Sequence, residues 1–421
     1  MSTTEISSII NSSCDYFDLT NNNHYQMVRD LADAMLANGF GETELEQLLP
    51  DKTAPLHANL AAHIALSRLK ILKHKDQPFR LAIATNLIHE QNRLRPATFN
   101  NPNGEDSLRN KIKQLKWITA GTEIKWKLLY ATGGCEWNSE EAFKKIVAEE
   151  NLTKDEVELL DSRDIEVTKN LVKNQKGSEL LVAMNSVIGT AGYPNVGQFD
   201  AFMFTDADMT LDMSQIGTLI DEYLTNKKDF SIGARTHKLS VSRKNPTRPG
   251  KGVLMYRHIT RRLGPVFFED LQLSDTQCPW KFISIDLLKK IAPLLTCPDW
   301  SIDTDIIGAA FYLGYDINVL PITAIDSEKE SHGHAIKGGP AARLITIVHG
   351  LLRQARNYNL RFDKEIGHLV DTEIQAMEDL AAILSTLPPA HLQELPNDAF
   401  GKAETISITD LTNWVIEAKK N

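Results

Sequence analysis

Two aspartates separated by one residue follow a short apolar run near the middle of the chain. Residues 201–204 read AFMF, which is typical of a strand buried on both faces of a parallel α/β sheet, and Asp206 and Asp208 come shortly after it. Ligands of such sheets bind at the carboxyl ends of the strands. The pair could cap the next helix. Alternatively, it could hold Mg²⁺ or Mn²⁺, which prefer oxygen ligands and bridge carboxylates to a substrate's phosphates.

Basic residues in two other segments are suited to a phosphate group. Lys176 and Gly177 come just before a predicted helix, and a helix N-terminus beside a lysine favours anions. The segment 240–252 carries several basic residues, including Lys251, among prolines and glycines, and such a loop could close over a diphosphate. Each segment also fits an ordinary solvated loop.

Acidic residues and histidines follow further along the chain. Asp303 and Asp305 lie at the start of an amphipathic helix, where they could complement the helix dipole or one of them could act as a base. His332 and His334 lie two residues apart in a glycine-rich loop. This spacing suits metal coordination, although it also occurs by chance.

The composition argues against several classes of protein. The chain has 421 residues and a net charge of −9, which argues weakly against a nonspecific nucleic-acid binder. Its four cysteines form no CxxC pair, so we expect neither a structural zinc site nor a disulfide framework. We see no signal peptide and no apolar stretch that approaches about 18 residues, the length of a transmembrane helix. A cytoplasmic protein is therefore expected.

The pattern of elements predicts an α/β fold. Apolar strands alternate with amphipathic helices from Pro78 onward, which implies a mostly parallel sheet. An extended piece is expected near Asp164, ahead of the helix that follows Lys176. We predict three segments: a helical one at 1–77, the α/β core at 78–345 and a second helical one at 346–421. The apolar stripes of the terminal helices suggest that they pack on the core or join protomers into a homo-oligomer.

The order of these motifs resembles that of GT-A fold glycosyltransferases, which use nucleotide sugars. "LIHEQNRL" is similar to the Asn-Glu-Glu opening of that family, and "LSDTQCPWKFIS" is similar to a stretch of dolichyl-phosphate glucosyl- and mannosyltransferases. "PDWSIDT" and "HAIKGG" resemble stretches of mannosylglycerate synthases. The resemblance covers roughly residues 79–345. It implies a Rossmann-like, mostly parallel sheet flanked by helices, with helical additions at both ends.

The resemblance also implies roles for individual residues. It implies that the metal ligands are Asp206, Asp208 and His334. The implied donor-binding residues are Glu90, Lys176, Asp206, Arg235, Lys251 and Asp275. Asp303 and Asp305 are the implied catalytic residues. The family's second strand usually ends in two aspartates, whereas this chain reads LYATGGCEWNS there, so Glu136 or a backbone group would have to contact the donor base.

The function implied is transfer of a hexose, with Mn²⁺ or Mg²⁺ as cofactor. The donor would be a nucleotide sugar of the GDP-mannose or UDP-glucose type, and the acceptor an unidentified hydroxyl compound, with a small acid such as glycerate as one candidate. One alternative is a nucleotidyltransferase acting on a sugar phosphate, although the loop after the first strand has no glycine. The other is a catalytically silent nucleotide-binding module, against which the intact Asp206–Asp208 pair and His334 count. Inversion and retention both stay open.

Overall fold

The computed structural model describes residues 17–18, 20–49, 54–171, 175–243, 252–326, 339–387, 389–393 and 405–420. The strands within these ranges are β1 Phe79–Asn86, β2 Ile124–Thr132, β3 Val157–Asp161, β4 Ala201–Phe204, β5 Phe230–Ala234, β6 Val241–Arg243, β7 Lys281–Ser284, β8 Asn318–Pro321 and β9 Thr323–Ile325. Seven of them form one sheet in the order β3-β2-β1-β4-β7-β5-β8, and β6 pairs with β9.

Helices precede, flank and follow this sheet. Those before and within its first half are α1 Asn22–Ala37, α2 Glu42–Leu48, α3 Leu56–Leu72, α4 Gln91–Leu94, α5 Ser107–Thr119, α6 Ser139–Glu149, α7 Lys176–Ile188 and α8 Gly217–Asn226. The later ones are α9 Gly252–Leu263, α10 Ile285–Ile291, α11 Ile302–Tyr312, α12 Gly339–Asn357, α13 Lys364–Glu373, α14 Met377–Ser385, α15 Ala390–Gln393 and α16 Ile408–Ala418. None of the described helices is long and apolar enough to span a lipid bilayer.

The predicted mostly parallel α/β sheet flanked by helices is confirmed. Strand β7 runs antiparallel to both of its neighbours, β4 and β5, whereas the other pairs of the sheet are parallel. All four residues of β4 are fully buried, as its continuous apolar run predicts. The register pairs Phe204 with Ala84 on one side and with Lys281 on the other. The end of β4 and the beginning of β7 therefore meet at one edge of the sheet.

One strand and one turn differ from the sequence-based expectation. Strand β3 was not expected, and a short 3₁₀ turn at Glu166–Thr168 takes the place of the extended piece near Asp164. Strand β3 pairs only with β2, at the edge of the sheet, and its Glu158 forms an ion pair with Lys127 at 2.7 Å. Because an edge strand keeps polar residues, its sequence lacks the continuous apolar run by which the central strands can be found.

The N-terminal helices pack against the core through an apolar cluster of their own. Helix α3 contacts α1, α2, α5 and α8. The cluster also includes Met209, which follows the Asp206–Asp208 pair, and Ile325 of β9. The N-terminal segment therefore supports the chain immediately after this pair.

The described C-terminal helices belong to the main core. Helix α12 packs against α9 and α11, and apolar residues of α13, α14 and α16 lie in the same cluster as those of β4. At Gly350 of α12 a Cβ atom would lie 2.0 Å from the Cβ of Ser301, so glycine permits the close approach of α12 to the start of α11. Helix α12 begins at Gly339 and crosses the predicted boundary at residue 345. The division into three segments stays a prediction.

A buried histidine joins helix α3 to the core. The Nδ1 atom of His63 lies 3.1 Å from Oε1 of Gln215 and 2.7 Å from Oγ1 of Thr323. Burial lowers the pKa of His63 to about 4, while its hydrogen bond to Gln215 acts in the opposite direction. The folded chain therefore resists protonation at this position.

We expect this histidine to make the protein less stable in mild acid. Because the pKa of His63 is depressed on folding, its contribution is present above about pH 6.5 and is lost as the pH falls through about 4. The difference between the ordinary pKa of 6.5 and the folded-state pKa of about 4 corresponds to roughly 3 kcal/mol of unfolding free energy. Measured by urea unfolding, the free energy of unfolding should fall more between pH 7 and pH 4 in the wild type than in His63→Gln. The exposed His391 supplies the control, since His391→Gln should keep the wild-type pH dependence.

Candidate active site

The Asp206–Asp208 pair lies on a turn that neighbouring strands hold in place. Thr205, between β4 and the pair, accepts a hydrogen bond at its carbonyl from the Thr85 hydroxyl at 2.6 Å. Its own hydroxyl accepts one from the Trp280 indole N–H at 3.2 Å. The turn therefore begins from a fixed point at the carboxyl edge of the parallel strands. This is where ligands of such sheets bind.

A buried carboxylate between two lysines forms the centre of the site. Asp303 is 1% exposed, and its two oxygens accept hydrogen bonds from Lys176 Nζ at 2.8 Å and Lys281 Nζ at 2.7 Å. Lys176 Nζ also lies 3.5 Å from Oδ1 of Asp206. Three distant parts of the chain, α7, β7 and α11, thus meet beside the aspartate turn.

The electrostatics keep Lys176 positively charged. Burial lowers the pKa of Lys176, but the charges of Asp206 and Asp303 outweigh burial and leave it above its ordinary value. The ammonium group also lies 5.6 Å from the ring centre of Phe204 and 5.3 Å from that of Trp300. Aromatic faces attract cations at this range. A charged lysine is thus held at the aspartate turn.

The glycine after Lys176 serves packing. A Cβ atom on Gly177 would lie 2.2 Å from the carbonyl oxygen of Cys297, so only glycine fits without a shift. The next amide, that of Ser178, donates to the Pro298 carbonyl at 2.8 Å. The Lys-Gly pair predicted for anion binding therefore also fixes the start of α7 against the segment before α11.

The second aspartate of the turn lies beside a buried arginine. Arg93 Nη1 is 3.7 Å from Oδ2 of Asp208 and 3.5 Å from Oε2 of Glu90, while Arg93 Nε is 3.6 Å from Oε1 of Glu105. Glu105 Oε2 accepts the amide N–H of Met209 at 2.8 Å. Glu90, predicted to bind the donor, thus lies in the same cluster as Asp208.

An aromatic pair lies where β1 and β2 end. His89 has a left-handed backbone with φ of 59°, and its ring packs edge-on against Trp137, with 5.6 Å between ring centres. The backbone N–H of His89 donates to Cys135 Sγ at 3.2 Å, which joins the two loops. Trp137 is 53% exposed, so part of its ring is open for stacking.

Arg235 and Asp275, both predicted to bind the donor, are engaged with each other. The Asp275 carboxylate accepts hydrogen bonds from Nε and Nη2 of Arg235 at 2.7 and 2.8 Å. Burial alone would raise the pKa of Asp275, but the hydrogen bonds and charge of Arg235 lower it overall. The charge of Lys281 acts in the same direction, which connects this pair with the lysine–aspartate centre.

Asp305 contacts a different part of the structure from Asp303. It is fully buried, and it accepts hydrogen bonds from the amides of Thr296 and Cys297 at 2.8 and 2.9 Å and from the Tyr358 hydroxyl at 2.7 Å. These bonds fix the segment before α11 to the C-terminal side of the core. The N-cap of α11 is Ser301, so neither aspartate occupies the capping position.

Two predicted site residues, His334 and Lys251, lie outside the described residues. Within the described residues, no three acidic, histidine or cysteine side chains converge on one metal position. The structure thus brings together Glu90, Lys176, Asp206, Asp208 and Asp303, and their roles stay predictions.

Sequence analysis missed three charged residues of the site. Lys281, Arg93 and Glu105 are each less than 5% exposed. Lys281 is paired with Asp303, Arg93 lies beside Glu90 and Asp208, and Glu105 contacts Arg93 and the amide of Met209. The position of Lys281 offered a signal, since it follows a tryptophan at the start of a short apolar run. Nothing in the sequence near Arg93 and Glu105 distinguishes them from surface charges.

No protein-family model and no curated protein matches the chain. Solved structures show a distant likeness. Mannosyl-3-phosphoglycerate synthase from Rubrobacter xylanophilus is 10% identical, with 70% of this chain and 79% of that chain covered and a TM-score of 0.47. Glucosyl-3-phosphoglycerate synthase from Mycobacterium tuberculosis, in complex with Mn²⁺, UDP and glucosyl-3-phosphoglycerate, is 12% identical, with 75% and 84% covered and a TM-score of 0.43. TarS 1–349 from S. aureus is 11% identical, with 81% and 91% covered and a TM-score of 0.37.

These structures lie within the class of proteins that the motifs resemble, GT-A glycosyltransferases. The likenesses have TM-scores below 0.5 and identities of 10–12%.

We expect the charge of Asp303 to be needed for stability. Asp303→Asn keeps the size of the side chain but leaves two buried lysines without their shared counter-charge. Removing one partner of a buried ion pair typically costs about 3–5 kcal/mol. Chemical denaturation should show a decrease of this order in the free energy of unfolding.

The neighbouring Asp299 provides the matched control. It is more exposed than Asp303, and Asp299→Asn should cost about 1 kcal/mol. In the double variant Asp303→Asn/Lys281→Met one unpaired lysine is gone, so part of the lost stability should return. Equal stabilities of Asp303→Asn and Asp299→Asn would contradict the assigned role of Asp303.

Proposed function

We propose that this protein is a metal-dependent glycosyltransferase that moves a hexose from a nucleoside-diphosphate sugar to a hydroxyl acceptor. The observation that carries the proposal is the position of Lys176. Its charged ammonium group lies between the buried Asp303 and the exposed turn of Asp206, at the carboxyl edge of the parallel strands. A fixed cation beside two carboxylates is suited to a diphosphate bound through a divalent metal.

The aspartate turn fits Mn²⁺ or Mg²⁺ in the chemistry of its donors. The Asp206 side chain is 44% exposed, and Asp208 Oδ2 is 3.7 Å from Arg93, which is longer than a hydrogen bond. In our proposal Asp206 and Asp208 hold the metal, and His334 completes its ligands. The metal would supply positive charge that stabilises a leaving diphosphate.

Lys176 would provide the second positive charge for the leaving group. Since Asp303 and the rings of Phe204 and Trp300 hold its ammonium group, little reorganisation is needed when charge develops on the diphosphate. Trp137, which follows β2, is our candidate for stacking with the donor base, because an aromatic ring can stack on any nucleotide base. The donor base itself would then be selected by other contacts.

Asp303 and Asp305 are better suited to positioning than to proton transfer. Both oxygens of Asp303 accept hydrogen bonds from lysines, and the oxygens of Asp305 accept from two amides and a tyrosine. A general base needs an oxygen within reach of the acceptor hydroxyl. We therefore propose that Asp303 orients Lys176 and that Asp305 fixes the segment before α11. The leaving phosphate is then available to take the acceptor's proton, which favours retention.

A small acid such as glycerate fits the charge near Trp300 as acceptor. The guanidinium carbon of Arg343 lies 5.2 Å from the centre of the Trp300 ring, and Lys176 lies 5.3 Å from it. Two cations therefore border one aromatic side chain next to the aspartate turn. An acceptor carboxylate beside Arg343 would place its hydroxyl group near the donor.

We expect transfer to depend on a divalent metal and on Asp208. A panel of UDP- and GDP-sugars with glycerate and phosphoglycerate should reveal turnover in Mn²⁺ or Mg²⁺. Excess EDTA should abolish it, and Asp208→Asn should lower the rate about 100-fold or more, because charge stabilisation at the leaving group is lost.

The control replaces an aspartate at the other end of β4. Asp200 precedes β4 and accepts the amide N–H of Arg80 at 2.7 Å, so Asp200→Asn should retain nearly wild-type turnover. Undiminished transfer in excess EDTA would rule out the metal-dependent mechanism.

A further inference from the structure

The amide that follows Asp208 has a buried acceptor from a distant loop. Glu105 is 1% exposed, and its Oε2 accepts the N–H of Met209 at 2.8 Å. Glu105 lies at the end of the loop between α4 and α5, about a hundred residues from Asp208 in sequence. A buried amide needs an acceptor, so this contact fixes the backbone next to the candidate metal ligand.

The same turn is held on its other side. The amide of Thr210 donates to Asp208 Oδ1 at 3.1 Å, and the Thr210 carbonyl accepts the N–H of Ile325 at 2.9 Å. The Met209 side chain lies in the apolar cluster of the N-terminal helices. The backbone is therefore held on both sides of Asp208. The contact with Glu105 holds it on the side of the loop between α4 and α5.

Glu105 is itself rigidly placed. Its backbone N–H donates to the Arg93 carbonyl at 3.2 Å, and the next amide, that of Asp106, donates to the Arg95 carbonyl at 3.0 Å. A Cβ on Gly104 would lie 2.4 Å from the backbone of Pro96, so the loop closes tightly on itself. The acceptor oxygen thus comes from a loop that backbone contacts hold at both ends.

We propose that Glu105 is a positioning residue that orients Asp208 for metal binding by accepting the Met209 amide. Asp208 Oδ1 is already used by Thr210, so the orientation of the turn decides where Oδ2 points. Arg93 forms longer ion pairs with Glu105 and Asp208, at 3.6 and 3.7 Å. This inference rests on the proposed metal role of Asp208.

The test compares two replacements that differ in their ability to accept a hydrogen bond. Glu105→Gln retains an oxygen acceptor, whereas Glu105→Met fills similar space and has none. We would measure the dissociation constant of Mn²⁺ in the presence of UDP or GDP by electron paramagnetic resonance. Glu105→Met should weaken Mn²⁺ binding about 10-fold, the lower end of the effect of residues that support metal ligands, while Glu105→Gln stays close to wild type.

Controls separate positioning from loss of folding. Glu158→Met makes the same replacement on β3, which β2 and β1 separate from β4, and it should leave Mn²⁺ affinity unchanged. If Glu105→Met does not fold, Glu105→Asp serves in its place, since its oxygens are drawn back by one methylene group. It should likewise weaken Mn²⁺ binding.

The Mn²⁺ affinities of the Glu105 and Asp208 variants distinguish a failure of the positioning role from a failure of the metal site. Unchanged Mn²⁺ affinity in Glu105→Met, or in Glu105→Asp where that variant replaces it, would overturn the positioning role. Equal loss in Glu105→Gln and Glu105→Met would also overturn it, because acceptance of the Met209 amide would not matter. If Asp208→Asn itself leaves Mn²⁺ affinity intact, the metal assignment under the proposed function fails instead.

Discussion

The buried carboxylate of Asp303 is the constraint on which the site depends. Two ammonium groups, from Lys176 and Lys281, are buried with it, and each would be costly without a counter-charge. Because the three residues come from α7, β7 and α11, the ion cluster fixes how these elements meet. The position of Lys176 beside Asp206 follows from this cluster, and the proposed chemistry follows from that position.

The surroundings of the site come from the whole length of the chain. The N-terminal helices contact Met209 through their apolar cluster, and Glu105, from the loop between α4 and α5, accepts the amide N–H of the same residue. On the other side, Tyr358 after α12 donates a hydrogen bond to Asp305 of α11. The terminal helices therefore help to shape the site, although motifs for its chemistry occur only in the central α/β region.

The sequence predicted the parts of the site that local patterns encode. The apolar run before Asp206 revealed β4, and the order of motifs placed Lys176 and Asp303 in one site. The sequence did not reveal that Asp303 is paired with Lys281, because that pairing depends on the antiparallel register of β7. Glu105 was missed for a similar reason: its partner is a backbone amide about a hundred residues away, which no local pattern marks.

In the proposed mechanism a metal-bound diphosphate lies between the Asp206–Asp208 turn and Lys176. Crystals of the protein grown with Mn²⁺ and UDP or GDP would test it through the anomalous signal of manganese. We expect a manganese peak within about 2.2 Å of carboxylate oxygens of Asp208 or Asp206, with a phosphate oxygen in hydrogen-bond reach of Lys176 Nζ. A nucleotide bound away from Lys176, or manganese bound elsewhere, would contradict it.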